Sequence, residues 1–394
     1  MQKHDDIGWP YFAPDEVAAV QEVLLSGKVN YWTGEKGRRF EDEFAATFGC
    51  KYGIALANGT AALELALKSI GIGPGDEVIV TSYSFIASAS AIVLQGATPV
   101  FADVDESLTI DPEIIQSKMT KRTRAIIAVH LLGYPCDMDA INKLALQNGL
   151  KVVEDCAQAH GAYYKGRPIG SLGDVSAFSF CQDKIMTTGG EGGMLITNNE
   201  VIWQKAWSYK DHGKSQKAMD GAKETNRFSW VHESFGTNWR MTEMQAAIGL
   251  VQLRKLPSWV TARRENAELI DQAFDDAKGF VRPDFSTDRR HAFYRYLVLI
   301  DQNCLKKKWS RDRIVDELNA QGLLCGSGIC PEIYLEPAFK NSKYHRNIRL
   351  PVAKSCGERS IQFPVHPTLS REFQQYRVQV VSDLLREAYN EQEC

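Results

Sequence analysis

The sequence has 394 residues, and its 46 Lys and Arg against 49 Asp and Glu give a net charge of −3. Hydrophobic residues make up 44% of the chain and charged residues 24%, which is ordinary for a globular protein. The lack of a basic excess argues against a nucleic-acid-binding protein. No apolar run approaches the ~18 residues of a membrane helix, so we expect neither nucleic acid nor a membrane as a partner.

The N-terminus and the cysteines indicate the compartment. MQKHDDIGWPYF lacks the apolar segment of a signal peptide. The nine cysteines are odd in number and scattered without a CxxC pair, which favours reduced thiols over a disulfide framework or a zinc site. We therefore expect a cytoplasmic protein that binds no metal.

Two helices are predicted before the first strand. Residues 14–26 begin with a proline and two acidic residues and are followed by Gly27, which is typical of helix ends. Residues 37–48 carry Phe40, Phe44 and Phe48 at helical spacing, which indicates a face packed on a core.

Strands and helices then alternate through residues 50–200. Strands are predicted at 52–57, 77–82, 97–105, 125–133, 150–158, 175–180 and 194–197, with helices at 61–71, 84–96 and 137–149 between them. This alternation predicts an α/β fold with a mostly parallel sheet covered by helices on both faces. Ligands bind at the carboxyl ends of strands in such sheets, where Asn58, Phe85, Asp155 and Lys184 fall.

The last third of the chain is predicted to form a second domain. Residues 235–256 indicate a loop and a helix with an apolar stripe, and residues 261–277 a separate helix rich in Arg and Glu. We place the boundary here, with a large domain at 1–255 and a smaller C-terminal α+β domain at 256–394. The smaller domain is predicted to contain a strand at 290–301 and helices at 309–321 and 372–391.

A lysine stands in the middle of a predicted strand–loop–strand unit from Asp174 to Asn198. Small and apolar residues surround Lys184, and a GGEGG run follows it. Such a lysine is well placed to lose its proton and form a Schiff base with an aldehyde cofactor. The alternative is a solvated loop lysine beside glycines that only turn the chain.

Several side chains near the strand ends suit an aromatic cofactor. Asp155 closes a strand that should be buried, and a buried carboxylate needs a cationic or donor partner. The protonated ring nitrogen of pyridoxal phosphate (PLP) would serve, although Asp155 could instead cap the next turn. Gln158 could donate to the ring oxygen or satisfy a loop carbonyl. Phe85 could stack on the ring or lie in the core.

A phosphate site is predicted where Asn58-Gly59-Thr60 leads into a helix. Free backbone N–H groups at a helix N-terminus bind anions. An ordinary helix cap by Asn58 is the alternative. The Ser179 hydroxyl, at the end of its strand, could join this site or be structural.

A series of segments, taken in order, resembles the PLP-dependent sugar aminotransferases of the DegT/DnrJ/EryC1/StrS family. The segments are TGEKGRRFEDEFAATFG, ANGTAALELAL, GDEVIVTSYSFIASASAI, GATPVFADVD, AVHLLGYPCDMDAI, VVEDCAQAHGA, GDVSAFSF with the following DK and TTGGEGG, GTNWRMTEMQAAIGLVQL and QFPVHPTLS. The resemblance runs from end to end and implies the fold type I architecture of aspartate aminotransferase. That architecture has a large domain with a mostly parallel sheet and a smaller C-terminal α+β domain.

The resemblance implies roles for the residues at the matching positions. Lys184 matches the lysine that holds PLP covalently and later moves protons. Asp155 matches the partner of the pyridine nitrogen, Gln158 the neighbour of the ring hydroxyl and Phe85 the stacking aromatic.

The phosphate of PLP is also assigned by the resemblance. Gly59, Thr60 and Ser179 match the phosphate cradle. Asn238 matches an asparagine that reaches the phosphate from the neighbouring subunit, which implies a homodimer with active sites at the subunit interface. Asn58 departs from the serine of many members, and ICPEIYLEPAF lacks the usual His-Tyr-Pro.

The resemblance implies transfer of an amino group from an amino acid, glutamate above all, to a keto group of a nucleotide-linked sugar. The product would serve amino-sugar biosynthesis for a surface polysaccharide, glycan or secondary metabolite. Tyr31, Thr33 and Arg240 are candidate substrate contacts, with a packed loop and a surface ion pair as the alternatives.

Three other functions were considered for this scaffold. A PLP-dependent sugar dehydratase is disfavoured, because such members of the family have histidine where this chain has Lys184. A non-catalytic regulator is disfavoured, because Lys184 and Asp155 are both present. A nicotinamide-dependent oxidoreductase would need GxGxxG after the first strand, and the sequence has none there.

Overall fold

The computed structural model of the chain describes residues 8–223, 230–275, 279–283 and 285–389. The α-helices are α1 (Pro14–Ser26), α2 (Lys36–Thr47), α3 (Gly59–Ser69), α4 (Ala87–Leu94), α5 (Pro112–Lys118), α6 (Met138–Asn148), α7 (Glu200–Lys210), α8 (Gln216–Lys223), α9 (Glu243–Asp271), α10 (Arg311–Ala320), α11 (Pro337–Lys340), α12 (Pro351–Arg359) and α13 (Arg371–Ala388). Short 3₁₀ helices lie at Leu131–Gly133, Gln272–Phe274, Gln302–Cys304 and Ile333–Leu335.

The strands follow the alternation that the sequence predicts. They are β1 (Tyr52–Leu56), β2 (Glu77–Thr81), β3 (Thr98–Ala102), β4 (Thr123–Val129), β5 (Lys151–Asp155), β6 (Tyr163–Tyr164), β7 (Arg167–Pro168), β8 (Val175–Ser179), β9 (Gly193–Thr197), β10 (Phe280–Val281), β11 (Arg289–Arg290), β12 (Tyr296–Ile300) and β13 (Ser360–Phe363). The predicted helix over 14–26 has the same bounds in the structure.

A seven-stranded main sheet has the order β1-β9-β8-β5-β4-β2-β3. The neighbours β3-β2-β4-β5-β8 pair in parallel, and β9 runs antiparallel to both β1 and β8. The prediction of an α/β fold with a mostly parallel sheet is confirmed. Successive side chains of a strand point to opposite faces, so Ile126 and Ile127 of β4 enter two different hydrophobic cores.

The C-terminal part has its own sheet, β10-β12-β13, and its own core. Along β12, Val298 and Ile300 enter that core, whereas Leu297 and Leu299 enter one of the two cores of the main sheet. Asp103, just after β3, also accepts hydrogen bonds from the first free N–H groups of α12, at Val352 (3.0 Å) and Ala353 (2.8 Å). The C-terminal part is thus packed on the main sheet.

The helix α9 corrects one prediction. It is a single helix of 29 residues with Pro257 inside it, so the expected break into two helices is wrong. Proline removes one backbone donor, but Leu256 and Val260 are buried on either side of it and hold both halves in place. The predicted domain boundary after residue 255 falls inside this helix, and the division into domains stays a prediction.

Two further observations concern compartment and chemistry. Within the described ranges, no helix is both long enough and apolar enough to cross a membrane. Cys304 is disulfide-bonded, so the expectation of reduced thiols throughout is wrong for that residue. Free thiols are found at Cys50, Cys136, Cys156, Cys181, Cys325, Cys330 and Cys356.

Candidate active site

A cavity of about 960 Å³ opens at the carboxyl ends of the main-sheet strands, beside the C-terminal part. Its lining includes seven of the residues predicted from the sequence, namely Gly59, Thr60, Phe85, Asp155, Gln158, Ser179 and Lys184. Their convergence follows from the parallel sheet, because β1, β2, β5 and β8 all end at this edge. The C-terminal part adds Tyr294, Arg295 and Gln362 to the lining.

Lys184 is partly buried, with its side chain 16% exposed. Its Nζ lies 3.2 Å from Asp183 Oδ1 and 5.0 Å from the ring centroid of Tyr294, whose hydroxyl donates to Asp183. Burial lowers the pKa of Lys184, but Tyr294 and Asp183 raise the pKa by more, so the pKa lies above its usual value. The expectation that Lys184 readily loses its proton is therefore wrong for the protein alone, because the Asp183 carboxylate stabilises the ammonium form.

The backbone of Lys184 is fixed from the N-terminal end of the chain. The indole Nε1 of Trp9 donates to the carbonyl oxygen of Lys184 at 2.8 Å. Trp9 in turn packs edge-on against Trp259 of α9, with ring centroids 5.1 Å apart. The residues before α1 thus contact the loop that carries Lys184.

Asp155 is 5% exposed and has few partners for a buried carboxylate. Ser88 Oγ donates to its Oδ2 at 2.7 Å, and the Ala157 N–H donates to its Oδ1 at 3.2 Å. Among the residues that the structure describes, no cation forms an ion pair with it. Burial raises the pKa of Asp155, despite these two hydrogen bonds. The carboxylate is therefore suited to receive a cationic or N–H group within the cavity.

Gln158 has a fixed orientation at the same wall. Its Oε1 accepts the Leu132 N–H at 2.6 Å. The side chain thus satisfies a backbone donor, not the loop carbonyl that was the alternative, and its amide N–H groups remain as donors.

The N-terminus of α3 forms the predicted anion site. Asn58 is the N-cap, and its side chain accepts the Ala61 N–H at 2.8 Å, so the capping alternative is correct for that residue. Within the described part of the chain, the N–H groups of Gly59 and Thr60 have no acceptor. A Cβ on Gly59 would lie 2.5 Å from the Ser179 Cβ, so only glycine lets β8 approach this closely. These free donors at a helix N-terminus fit a phosphate group.

Phe85 lies at the mouth of the cavity and is 65% exposed. The alternative of a buried core phenylalanine is therefore excluded. An exposed ring at the cavity mouth is available to stack on a planar ligand.

The predicted substrate contacts do not line this cavity. Tyr31 is 3% exposed, and its hydroxyl donates to Glu41 at 3.0 Å, as the packed-loop alternative expects. Thr33 donates to the Asn30 carbonyl at 3.1 Å. Arg240 donates to the buried Asp211 at 2.6 Å, so its ion pair is not a surface one. The roles of these residues stay predictions.

Asn238 also lies outside the cavity of its own chain and forms a β-bridge with Asp211. This position agrees with the expected contact to a neighbouring subunit but does not test it.

Four residues near the reacting lysine were not found from the sequence: Ser88, Asp183, Tyr294 and Arg295. Ser88 and Asp155 are 67 residues apart in the chain, so no local pattern joins them. Asp183 directly precedes Lys184, and that adjacency was a usable signal. Arg295 interrupts an otherwise apolar run, AFYRYLVLI, which is a second signal for a functional cation.

Beside the cavity, His130, Glu154 and Cys156 could together offer three ligand atoms to a metal ion. The atoms already have partners in the protein. His130 accepts the Cys136 N–H at Nδ1 (3.1 Å) and lies 3.1 Å from Glu154 at Nε2. Burial raises the pKa of Cys156, which disfavours the thiolate that a metal needs. That the protein binds no metal stays a prediction.

Comparison with known proteins identifies relatives of the whole chain. The model of the DegT/DnrJ/EryC1/StrS aminotransferase family matches residues 10–382. The spore coat polysaccharide biosynthesis protein SpsC of Bacillus subtilis is 37% identical over 96% of both chains. The GDP-perosamine synthase of Escherichia coli O157:H7 is 34% identical over 92% of this chain and 94% of that one.

A solved structure has the same fold. The aminotransferase from Psychrobacter cryohalolentis is 50% identical and has a TM-score of 0.95, with 97% of this chain and 99% of that chain covered.

Proposed function

This chain belongs to the DegT/DnrJ/EryC1/StrS aminotransferase family, and we propose that it moves an amino group from L-glutamate to a keto group of a nucleotide-linked sugar. It is a PLP-dependent aminotransferase. When bound, PLP supplies an aldehyde that carries the amino group between substrates and a ring that accepts electron density.

The residues of the cavity fit PLP. The observation that carries the proposal is the unpaired Asp155 carboxylate, which shares one cavity with Lys184 and the free N–H groups of α3. Asp155 would hold the protonated ring nitrogen, and Gln158 would donate to the ring oxygen. Gly59, Thr60 and Ser179 would hold the phosphate, and Phe85 would stack on the ring.

Lys184 would carry the protons of the reaction. Its Nζ can take the proton from Cα of the amino-acid donor and return a proton to the carbon of the acceptor sugar. Asp183 lies 3.2 Å from that nitrogen and stabilises its protonated form. Tyr294 donates to Asp183 and so keeps the carboxylate in place.

The printed names of the relatives support a sugar acceptor. One is a GDP-perosamine synthase, and another takes part in spore coat polysaccharide biosynthesis. We infer a nucleotide-linked keto-sugar as the acceptor and an amino sugar for a polysaccharide, glycan or secondary metabolite as the product.

We further infer a cytoplasmic homodimer with active sites at the subunit interface. Asn238, with the candidate contact residues Tyr31, Thr33 and Arg240, lies outside the cavity of its own chain. Trp230 and Phe235, near Asn238 in the sequence, are 89% and 100% exposed in the single chain. Large apolar side chains this exposed mark a surface that another protein covers.

The test is incubation of the PLP-loaded protein with L-glutamate and a panel of GDP-, UDP- and dTDP-linked keto-sugars, followed by mass spectrometry. We expect one sugar to gain an amino group and glutamate to become 2-oxoglutarate. A product that has lost an oxygen would indicate the dehydratase, and no product with any sugar would favour the regulator.

A Lys184→Ala variant is the control for the proposed role of Lys184. We expect it to lose turnover, and borohydride should attach no cofactor mass to the peptide that carries residue 184. Full activity in this variant would refute that role.

A further inference from the structure

Arg295 is a cation of the cavity wall that lacks an anionic partner. It lines the cavity together with Lys184, Tyr294 and Gln362. Its guanidinium carbon lies 5.4 Å from the ring centroid of Tyr294. Within the described ranges, no carboxylate forms an ion pair with it, although Asp155 and Asp183 line the same cavity.

The strand β12 explains where this side chain is placed. Arg295 directly precedes β12, and side chains alternate along a strand. Leu297 and Leu299 enter a core of the main sheet, whereas Tyr296 and Val298 enter the core of the C-terminal part. Arg295 continues the first series and so lies on the face toward the main sheet and the cavity.

The wall around Arg295 holds further polar atoms without partners. Gln362 pairs across the small sheet with Leu297 and lines the cavity, and its Oε1 is buried without a hydrogen bond. Arg263 is 2% exposed, and its Nε and one terminal nitrogen are also buried without a partner. Its other terminal nitrogen donates weakly to the Phe293 and Tyr294 carbonyls, at 3.4 and 3.3 Å.

The charge at this wall is positive and uncompensated. Burial, together with the Arg295 charge, lowers the pKa of Arg263 to about 9. Burial and the neighbouring arginines lower the pKa of His366 to about 3. Buried positive charge is costly unless an anion neutralises it, which indicates that a ligand supplies the missing anion.

We propose that Arg295 binds a carboxylate of the amino-acid donor and so selects amino acids as the source of nitrogen. The inference rests on the proposed function. Lys184 Nζ and the Arg295 guanidinium lie 5.0 and 5.4 Å from the same Tyr294 ring centroid. A donor whose amino group reacts next to Lys184 can therefore place a carboxylate near Arg295. The planar guanidinium matches a carboxylate with two parallel hydrogen bonds.

The first test measures binding without turnover. Glutarate, a dicarboxylate that has no amino group to transfer, is titrated calorimetrically into the PLP-loaded protein. We expect Arg295→Gln to weaken glutarate binding about 10- to 100-fold, the loss typical of a charged hydrogen-bonding partner. Arg295→Lys should recover part of the affinity. Arg290→Gln, on an exposed arginine of the same segment, is the matched control and should bind as the wild type does.

The second test separates the donor carboxylate from the diphosphate of the sugar nucleotide, which is the other anion available. The two half-reactions are followed singly in the PLP absorbance, one with L-glutamate and one with the keto-sugar. We expect Arg295→Gln to lower kcat/KM for glutamate about 10- to 100-fold and to leave the keto-sugar half-reaction unchanged. Loss confined to the keto-sugar step would overturn the inference in favour of the diphosphate.

The outcomes also distinguish this inference from the proposed function. Equal glutarate affinity in wild type and Arg295→Gln, or no glutarate binding to the wild type, refutes the role of Arg295 even if amino sugar is formed. Conversely, if no keto-sugar is aminated but glutarate binding still depends on Arg295, the sugar acceptor is wrong and the carboxylate site stands.

Discussion

Glu154 and Asp155 are neighbours at the end of β5, but they lie on opposite faces of the main sheet. Glu154 is fully buried and accepts five hydrogen bonds, from His130 Nε2, the N–H groups of Gly170, Leu172 and Gly173, and Ser176 Oγ. Asp155, also buried, accepts two, from Ser88 and Ala157. The pKa of Glu154 is lowered, because these hydrogen bonds outweigh its burial, whereas burial dominates at Asp155 and raises its pKa.

The difference separates a carboxylate that holds the fold from one that is free to bind a ligand. Glu154 ties the loop after β7 to the sheet through three backbone donors. Asp155 faces a cavity and lacks a cationic partner in the protein. Two adjacent acidic residues in one sequence motif thus have opposite energetic roles, which depend only on the face of the strand.

The largest expected effect is that of Asp155→Asn. Removing the charge that would hold the ring nitrogen of PLP should lower kcat roughly 10²–10³-fold, as for other single electrostatic contacts at reacting centres. The cofactor-free variant should be at least as stable as the wild type at pH 7, because the ionised form of Asp155 is disfavoured by burial.

The pH dependence follows from the raised pKa of Asp155. A raised pKa in the folded state stabilises the cofactor-free wild type at low pH, and that contribution is lost as the pH rises through the folded value. Steady-state kinetics and urea unfolding of the cofactor-free protein measure both effects. A large loss of stability with intact activity would reverse the comparison.

The second prediction concerns Glu154→Gln. It should lower the free energy of unfolding by about 3–5 kcal/mol, because an amide cannot serve all the donors that now surround the carboxylate. The lowered pKa means that Glu154 contributes stability above the pKa of the unfolded chain, and that this contribution is lost as the pH falls through the folded value.

The stability gap between wild type and Glu154→Gln should therefore narrow below about pH 4. Urea unfolding at pH 7 and at low pH measures it. The folded fraction should keep nearly normal kcat, and a gap that widens on acidification would contradict the role given to Glu154.

The third prediction extends the comparison to the phosphate end of the cavity. Gly59→Ala places a Cβ 2.5 Å from the Ser179 Cβ, so α3 must shift away from β8. Overpacking of this kind costs about 1–3 kcal/mol, which we expect to appear as roughly 5- to 150-fold weaker PLP binding. Fluorescence titration with PLP measures it. Gly73→Ala, where an added Cβ meets nothing within 4 Å, is the control and should leave the affinity unchanged.

The smallest effect is expected at Asp183. Asp183→Asn removes a charge that raises the pKa of Lys184, so more of the lysine is neutral at pH 7. Covalent capture of PLP by Lys184 should become severalfold faster at pH 7, with its pH profile moved to lower pH. Stopped-flow absorbance between pH 6 and 10 records the profile. Asp183→Glu keeps the charge and should retain the wild-type profile; an unchanged profile in Asp183→Asn would exclude this effect.

The periodic parts of the fold could be predicted from the sequence. Alternating apolar segments gave the main sheet, and the strand ends placed Asp155, Ser179 and Lys184 at one edge. The predicted strand over 97–105 is shorter in the structure, Thr98–Ala102, because Asp103 turns away to cap α12. That cap joins residues about 250 positions apart, so no local pattern could indicate it.

The charge states in the site could not be predicted for the same reason. Small and apolar neighbours suggested a neutral Lys184, but the decisive groups are the adjacent Asp183 and Tyr294, 111 residues from Asp183 in the chain. Pro257 misled in the opposite way, since a local helix breaker was overruled by packing of α9.

The cap that Asp103 provides for α12 bears on how the chain can be divided. The helix owes its first N–H bonds to a carboxylate after β3, and Leu297 and Leu299 of the C-terminal sheet are buried in a core of the main sheet. Cutting the gene near codon 256 would expose both surfaces at once, so neither half should express as a well-behaved fragment. Limited proteolysis should likewise degrade the chain as one cooperative unit and leave no resistant C-terminal piece.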